Sequence, residues 1–338
     1  MTLPKRGWLD FSLRIFCRQF FLPPANHRRS AALAVLVFLG NRSPADSLKV
    51  EVVKLPALRI NGLPATAHTQ GLEVAGGSYY VTARREDVSP KRALLLRTGK
   101  TGNDWDSWDL TPLNPAGDSM LLDHPGGMQS DGKRLWIPVA QSKRKGRSVV
   151  RVFSLAGLVA GQPLKPEFEL PVNDHIGAVA VSLENNLVFG ASWDTEAVYV
   201  WDLEGRLQRI MGGSDLALRG LGAVTDPNRR AGLAVQDWKI AGNWLFASGL
   251  FREASLAAAT KSRLMSFTNF LESNFQRLII SLPSQEGTEL AREAMAIADD
   301  RVYFLPEDLG ASNRMFRTTL AELRHQPVKL PPQISRPP

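Results

Sequence analysis

Residues 71–83 read GLEVAGGSYYVTA, which is a short apolar strand, a tight Gly-Gly turn and a second strand rich in β-forming residues. The same arrangement returns four times, as GMQSDGKRLWIPVA at 127–140, AVAVSLENNLVFGAS at 178–192, DWKIAGNWLFASG at 237–249 and AMAIADDRVYFLPE at 294–307. The anchoring apolar residues of the five units are Leu72, Met128, Val179, Trp238 and Met295, spaced by 56, 51, 59 and 57 residues. A repeat of about 50 residues that holds about four strands is typical of one β-propeller blade.

The remaining strands follow from the alternation of apolar and polar residues. Third strands are predicted at 92–99, 148–156, 197–205, 262–269 and 313–320, and fourth strands at 105–112, 166–172, 206–213 and 275–283. The fifth unit lacks a fourth strand, whereas LKVEVVKL at 48–55 is a strand that belongs to no unit. A closed ring leaves no open sheet edge, so we expect this N-terminal strand to complete the last blade.

The sequence therefore predicts an all-β, five-bladed β-propeller of four-stranded blades. A pair of β-sandwiches also has short strands at regular spacing, and it is the competing architecture. A sandwich gives no reason for a four-strand unit to recur five times, which favours the propeller.

The net charge of +8 arises mainly at the N-terminus. Residues 1–45 hold seven of the 41 basic residues and one of the 33 acidic residues, which leaves 34 basic and 32 acidic residues for the rest. A nearly balanced charge is not the footprint of a nucleic-acid-binding surface, so we expect no nucleic-acid partner.

The N-terminal segment has the pattern of a secretory signal. Arg28 and Arg29 precede the apolar run SAALAVLVFLG at 30–40, and small residues follow for cleavage after Ala45. The apolar run is shorter than the ~20 residues that a membrane-spanning helix needs. We predict a periplasmic or secreted protein with no stable membrane span after leader cleavage; the alternative is a protein anchored in the membrane by an uncleaved leader.

The chain thus divides into a leader at 1–45, a propeller at 46–325 and a proline-rich tail at 326–338. Cys17, the single cysteine, lies in the leader, so the mature chain has neither a disulfide nor a cysteine nucleophile. We expect the propeller to be a monomer.

Three histidines occupy one position in consecutive repeats. His68, His124 and His175 each lie four residues before the anchoring residue of their unit. Equivalent positions in a propeller converge on the mouth of the central channel, so these three imidazoles are candidate ligands for a divalent metal ion. The alternative is a structural role, in which each histidine bonds a backbone carbonyl of the next blade.

Further polar residues are expected on the loops of the same face. The candidate ligand-binding residues are Gln70, Arg84, Gln141, Trp193, Gln236 and Arg252. A basic rim over the first two repeats would attract an anion, and its members are Arg84, Arg85, Lys91, Lys143, Arg144, Lys145 and Arg147. Acidic residues of the later repeats are Asp194, Glu253, Glu307 and Asp308. Glu293 and Glu307 are the candidate general acid and base, since such catalysis needs two titratable groups near one reacting atom.

The repeat pattern resembles that of exported bacterial propellers of the streptogramin-lyase-like and NHL-repeat kind over residues 66–320, which implies the fold rather than an activity. The run HTQGL at 68–72 is similar to the blade-opening Phe-Thr-Gln-Gly-Leu of plant-type glutaminyl cyclotransferases, which are also five-bladed propellers. Here His68 replaces the Phe, and VTA at 81–83 stands where that family has Glu-Ser-Thr.

Three classes of function remain open. The first is an exported propeller that binds a small polar or anionic ligand, with or without a metal, at the channel mouth. The second is an enzyme of the lyase or aminoacyltransferase type, with a glutaminyl-cyclotransferase-like reaction as the example. The third is a non-catalytic platform for protein interactions, whose signature would be an exposed apolar patch.

Overall fold

The structure is a computed structural model that describes residues 48–111, 121–222, 232–252 and 261–324. Within these residues, antiparallel sheets follow one another along the chain and form the five-bladed ring that the repeats predict. The predicted leader and the proline-rich tail lie outside the described residues.

In blades 1 to 4 the strands follow one another along the chain from the innermost to the outermost. Blade 1 contains His68–Ala75, Ser78–Arg85, Arg92–Gly99 and Asp106–Asp109. Blade 2 contains His124–Pro125 with Gln129–Ser130, then Arg134–Ala140, Ser148–Ser154 and Phe168–Val172. Blade 3 contains Ile176–Ser182, Leu187–Ser192, Ala197–Asp202 and Leu207–Gly212. Blade 4 contains Gly232–Ala241, Trp244–Arg252, Lys261–Thr268 and Gln276–Ser281.

Blade 5 joins the two ends of the described chain. Its first three strands are Ala294–Ala298, Arg301–Leu305 and Asn313–Thr319, and its outermost strand is Glu51–Leu55. Leu55 pairs with Asn313 and Glu51 pairs with Arg317 in an antiparallel register. The predicted closure of the ring by the N-terminal strand is therefore confirmed.

The apolar core is divided among the five interfaces between neighbouring blades. Successive side chains of a strand point to opposite faces, so Tyr79 packs toward blade 5 and Tyr80 packs toward blade 2. The five anchoring residues of the repeats are each fully buried in these clusters. Trp201 is also buried, between blades 2 and 3, and so belongs to the core rather than to a binding surface.

The innermost strand of blade 2 is interrupted where it meets blade 3. A Cβ atom on Gly126 would lie 2.1 Å from the carbonyl oxygen of Gly177, so only glycine permits this approach. The neighbouring Gly127 exchanges backbone hydrogen bonds with blade 3, donating to Gly177 and accepting from Val179. Blade 2 therefore pairs its backbone across the blade interface instead of only within its own sheet.

A buried polar network joins the innermost strands across the axis of the ring. Asp237 of blade 4 accepts hydrogen bonds from the backbone N–H groups of Leu72 in blade 1 and Met295 in blade 5. Lys239 donates to Asp237, over 2.6 Å, and to the carbonyl of Met128 in blade 2, over 2.7 Å. Because these bonds reach three other blades from one strand, the two side chains must lie at the axis.

Several smaller elements lie outside the blades. They are the two-stranded hairpins Arg59–Ile60 with Leu63–Pro64 and Ser284–Gln285 with Thr288–Glu289, the 3-10 turns Leu155–Gly157 and Trp193–Thr195, and the helices Gly213–Arg219 and Leu320–Arg324. Neither helix in the described part of the chain has the length and hydropathy of a membrane-spanning segment.

Candidate functional site

The candidate site lies at the channel mouth, on the face where chains enter the first strands and connect the second strands to the third. Three innermost strands carry a β-bulge at this level, and the extra residues are Gln70, Gly177 and Gln236. A bulge bends its strand and re-aims the side chain of the unpaired residue. The half-buried Gln70 and Gln236 have no side-chain hydrogen bond to any described residue, so their amides remain available to a ligand.

Two of the predicted histidines meet a tryptophan at this mouth. The ring centroids of His124 and His175 lie 5.0 Å apart, and those of His175 and Trp193 lie 4.6 Å apart, both in edge-to-face arrangements. The histidines of blades 2 and 3 therefore lie together at the mouth. With Trp193 they form one wall of it.

The turn that carries Trp193 has an unusual backbone. Asp194 and Thr195 both have positive φ, 55° and 57°, in the left-handed region that a β-branched residue such as threonine rarely adopts. Thr195 is fully buried, and its hydroxyl accepts a hydrogen bond from the backbone N–H of Val235 over 3.0 Å. This contact with blade 4 holds the strained turn, which is a common feature of functional sites.

Opposite hydrogen-bonding roles fix the two imidazoles. Arg84 Nη1 lies 2.9 Å from His124 Nδ1, and because the guanidinium can only donate, Nδ1 must accept and Nε2 must carry the proton. His175 Nδ1 lies 2.8 Å from the carbonyl oxygen of Gln141, which can only accept, so Nδ1 is protonated and Nε2 has a free lone pair. The wall thus presents one N–H donor and one acceptor.

Both imidazoles are neutral in this environment. The pKa of His124 is lowered to about 3, chiefly by burial, and the neighbouring His175 and the Arg84 guanidinium contribute to this shift. Burial also lowers the pKa of His175, against the carbonyls of Gln141 and Lys143, which favour the protonated ring. A neutral wall recognises a ligand through directional hydrogen bonds rather than through charge.

Two residues that the sequence analysis did not single out, Ser142 and Asp123, continue the hydrogen-bond chain that links Arg84 to His124. Ser142 accepts a hydrogen bond from Arg84 over 2.8 Å and donates to the carboxylate of Asp123 over 2.9 Å. The Nε atom of Arg84 is buried and has no hydrogen-bonding partner among the described residues. An orphaned buried donor at a channel mouth is a polar group that a water molecule or a ligand would satisfy.

The opposite wall is acidic. His68 Nδ1 lies 2.7 Å from a carboxylate oxygen of Asp308, and Glu293 lies close enough for its ionisation to respond to both. Glu293 is 9 % exposed, and burial raises the pKa of its carboxyl to about 7, while His68 and Arg292 oppose this rise. A carboxyl group that titrates near neutral pH beside an oriented histidine is suited to proton transfer.

Two other predicted site residues already have structural partners. The carboxylate of Glu307 is held by Arg314 over 2.8 and 2.9 Å and by Thr288 over 3.0 Å, and the hydrogen bonds from Arg314 lower its pKa. Gln141 is buried, and its side-chain oxygen accepts from the backbone N–H of Arg147. The backbone of Arg252 ends the second strand of blade 4, but its side chain and Glu253 lie outside the described part of the structure.

The predicted metal site does not form among the described residues. No three histidine, cysteine, aspartate or glutamate side chains of this part of the chain are grouped to bind a metal ion. His68 pairs with Asp308 on the acidic wall, while His124 and His175 lie together on the other wall. The shared repeat position thus produces one pair of histidines and one separate histidine.

The predicted basic rim is largely neutralised by local ion pairs. Arg84 pairs with Glu86, Arg85 with Asp87, and Lys91 with Glu86. In blade 2, the partners of Arg144 and Lys145 are Asp194 and Glu196 of blade 3. These pairs involve five of the seven rim cations and weaken the attraction that the rim would exert on an anionic ligand.

Solved structures similar to this chain are propellers or contain propellers. The β-propeller domain of the trilobed protease from Pyrococcus furiosus is 10% identical, with a TM-score of 0.35, and the match covers 71% of this chain and 79% of that chain. Streptogramin B lyase is 9% identical, with a TM-score of 0.35 and coverage of 80% and 97%. A Trypanosoma rangeli sialidase is 16% identical, with a TM-score of 0.47 and coverage of 79% and 46%, so this chain spans about half of the sialidase. These similarities concern the fold alone.

Sequence comparison adds a family but no activity. A family model described as a family of unknown function (DUF6454) matches residues 59–308, which is more than half of the chain and includes blades 1 to 4 and the first two strands of blade 5. No curated protein matches the sequence.

Proposed function

This chain belongs to that family of unknown function, and we propose from the geometry of its channel mouth that it binds a small, uncharged polar ligand there. The observation that carries the proposal is the pair of neutral imidazoles of His124 and His175 beside the ring of Trp193. The Nε2 atoms of both imidazoles have no partner among the described residues, and neither is sealed from solvent.

The two Nε2 atoms select the chemistry of the ligand. The N–H of His124 donates and the lone pair of His175 accepts, so a ligand that offers a carbonyl oxygen and an N–H side by side satisfies both. A carboxamide or a lactam has this pair of groups on one planar edge. The indole face of Trp193 is suited to packing against such a planar group.

The charges around the mouth favour an uncharged ligand over an anion. Five of the seven cations of the rim already pair with acidic side chains, and the far wall carries Asp308 and Glu293. A carboxylate ligand would have to lose its hydration beside these acidic groups, and Arg84, the guanidinium that contacts His124, is already paired with Glu86. The half-buried Gln70 and Gln236 add amide groups, which can both donate hydrogen bonds to a neutral polar ligand and accept them from it.

The proposal is tested with two probes that share a carbon skeleton, succinamide and succinate. In the full-length chain labelled with 15N at histidine, succinamide is expected to shift the ring-nitrogen resonances of His124 and His175 in a saturable way. Succinate is expected to shift them less. A response to neither probe, or a stronger response to succinate, would contradict an uncharged carboxamide-like ligand.

Matched variants locate the response. His124→Phe keeps a planar ring but removes the donor, so the response to succinamide should weaken by about three- to tenfold, the range for one lost hydrogen bond. His68→Phe alters the opposite wall and should leave the response of the His124–His175 pair in place. An equal loss in both variants would argue for a general disturbance of the mouth rather than for this pair.

A second candidate function is acid–base catalysis at the same mouth. It is favoured by one observation: Asp308 orients His68 through Nδ1, and the nearby Glu293 has a pKa of about 7. In the cyclisation of an N-terminal glutamine, the α-amine attacks the side-chain carbonyl carbon and ammonia leaves. His68 would take the proton from the amine, and protonated Glu293 would give one to the departing nitrogen.

The enzyme hypothesis is separated from simple binding by an assay for ammonia. A glutaminyl dipeptide incubated with the full-length chain should release ammonia and form the cyclised product. Glu293→Gln should abolish this release, because the amide cannot supply the proton. No release above the uncatalysed rate would leave ligand binding as the function of the mouth.

We also propose that the protein is exported, on the basis of the leader pattern in its sequence. Arg28-Arg29, the apolar run at 30–40 and the small residues before Asp46 support a signal that is removed. N-terminal sequencing of the protein from the producing cells should give a chain that starts at Asp46. A chain that retains residues 1–45 in the membrane fraction would instead support the uncleaved anchor.

A further inference from the structure

A cavity of about 410 Å³ lies on the face of the ring opposite the channel mouth, between blades 3 and 4. Its walls are the turns that join the first and second strands of these blades and the loop after the third strand of blade 4. Its volume falls within the range of about 300 to 1,000 Å³ that is usual for small-molecule sites. None of the residues that form the channel mouth contributes to it.

The floor of the cavity is aromatic. Phe189 and Phe270 are buried beneath it, and their rings pack edge-to-face at a centroid distance of 6.0 Å. Trp244 is half-buried at one side, and its indole N–H has no hydrogen-bonding partner among the described residues. A ligand that enters would meet an apolar surface with one free donor at its edge.

The rim of the cavity is formed by amide and carboxylate side chains. Its exposed members include the amides of Asn185, Asn243 and Asn269 and the carboxylates of Glu184 and Glu272. Amides supply both donors and acceptors, whereas carboxylates supply acceptors only. No lysine or arginine among the described residues lines the cavity, so the carboxylates of the rim disfavour an anionic ligand.

One wall is held in place before any ligand binds. The buried Arg219 donates to the carbonyl of Phe270 over 2.8 Å and to that of Glu272 over 3.0 Å, and its guanidinium lies 5.3 Å from the centre of the Phe270 ring. Arg209 donates to the carbonyl of Leu271 over 2.9 Å. A preformed wall reduces the entropy that binding would otherwise cost.

We propose that this cavity is a second ligand site, which binds a small neutral carbohydrate. A sugar has an apolar face of C–H groups that packs on an aromatic floor and a periphery of hydroxyl groups that both donate and accept. The rim matches this periphery, because its amides can donate to and accept from hydroxyls while its carboxylates accept from them. An organic cation could use the carboxylates and the aromatic floor, but it would leave the amide N–H donors without acceptors.

The test measures binding of glucose, galactose, mannose and N-acetylglucosamine to the full-length chain by saturation-transfer NMR, with glucuronate and choline as charged counter-probes. At least one of the neutral sugars should bind saturably, glucuronate should bind more weakly than glucose, and choline should not compete. No binding of any neutral sugar, or tighter binding of choline, would overturn the proposal.

Two variants tie the binding to the cavity. Asn269 has a φ of 51°, a conformation that glycine adopts freely, so Asn269→Gly removes the amide without straining the turn. It should weaken sugar binding by about three- to tenfold, and Trp244→Leu should weaken it at least as much. Sugar binding that is unchanged in Asn269→Gly and in Trp244→Leu would place the sugar elsewhere.

His124→Phe serves as the control at the channel mouth. It should leave sugar binding unchanged, since His124 lies on the other face of the ring. This control also separates the two proposals: loss of the succinamide response with normal sugar binding would leave the second site standing on its own evidence.

Discussion

His124 has a neutral ring because it is buried and because Arg84 donates to its Nδ1 atom. We expect NMR of the ring nitrogens to show the Nε2–H tautomer and no protonation from about pH 8 to about pH 5, since the folded pKa is about 3. A titration midpoint near the ordinary value of about 6.5 would contradict the hydrogen-bonding scheme of the neutral wall.

The same shift makes the stability of the fold sensitive to acid. The unfolded chain binds a proton at His124 near pH 6.5 and the folded chain only near pH 3, so this contribution to stability is complete above pH 6.5 and is lost as the pH falls toward 3. His124→Asn should therefore lose less unfolding free energy than the parent between about pH 7 and about pH 5. Equal losses, measured by urea unfolding, would show that the ring is not held neutral.

Glu293 has the opposite dependence. Burial raises the pKa of its carboxyl from 4.5 to about 7, so its stability contribution is present below pH 4.5 and is lost as the pH rises through 7. Glu293→Gln should raise the unfolding free energy at about pH 8 by up to roughly 3 kcal/mol and change it little at about pH 4. Urea unfolding at both pH values checks this, and a variant that is less stable at pH 8 would show that the carboxylate is satisfied in the folded state.

Sequence reasoning at this scale identified positions but not partners. The shared repeat position of His68, His124 and His175 brought all three to the mouth, because a repeat fixes where a residue lies in its blade. Their partners come from other blades, and no periodicity relates Asp308 to His68 or Arg84 to His124. The ion pairs Arg84–Glu86 and Arg85–Asp87 join close neighbours in sequence, so the spacing could have suggested them.

At the scale of strands, the interrupted inner strand of blade 2 depends on a glycine. Gly126→Ala would place a Cβ atom 2.1 Å from the carbonyl oxygen of Gly177, with backbone on both sides of the clash. The two blades must then separate, and we expect a loss of at least about 1–3 kcal/mol in the free energy of urea unfolding. Gly157→Ala is the matched control, because its Cβ would meet only the Ser154 side chain at an ordinary 3.6 Å and should change stability by less than about 0.5 kcal/mol. Similar effects of the two substitutions would show that the contact between blades 2 and 3 is not tight.

The strands themselves were predictable because each alternates clearly and ends in a turn. The break in blade 2 was not, since it results from the approach of a neighbouring blade rather than from local sequence. The helix Gly213–Arg219 was also missed, because GGSDLALRG reads locally as the end of a strand and a loop. Its end is marked only by Gly220, which has a φ of 72° and caps the last turn.

At the scale of the whole molecule, the ring is held together at its centre and at its seam. In the central network, Asp237 and Lys239 supply charged hydrogen-bonding partners to blades 1, 2 and 5. Burial raises the pKa of Asp237, and Lys239 opposes the rise. The repeats predict which strands are innermost, but the network is asymmetric. Among the five units only the fourth has the Asp-Trp-Lys run, at 237–239, so the repeat pattern does not predict the network.

The seam depends on the N-terminal strand, which contributes more than its pairing with blade 5. Leu48, Leu55 and Leu58 are buried by this segment, whereas Val52, which the alternation of the strand would bury, is 50% exposed. At about 1.5–3 kcal/mol for each buried aliphatic side chain, the three leucines are worth about 5–9 kcal/mol, which approaches the total stability of an ordinary domain. A chain that starts at Gly62 should therefore be largely unfolded or melt far below the full-length chain, because it also exposes the edge of Asn313–Thr319. A chain that starts at Asp46 retains the strand and should melt with the full-length protein, so equal melting temperatures for the two shortened chains would contradict closure of the ring by this strand.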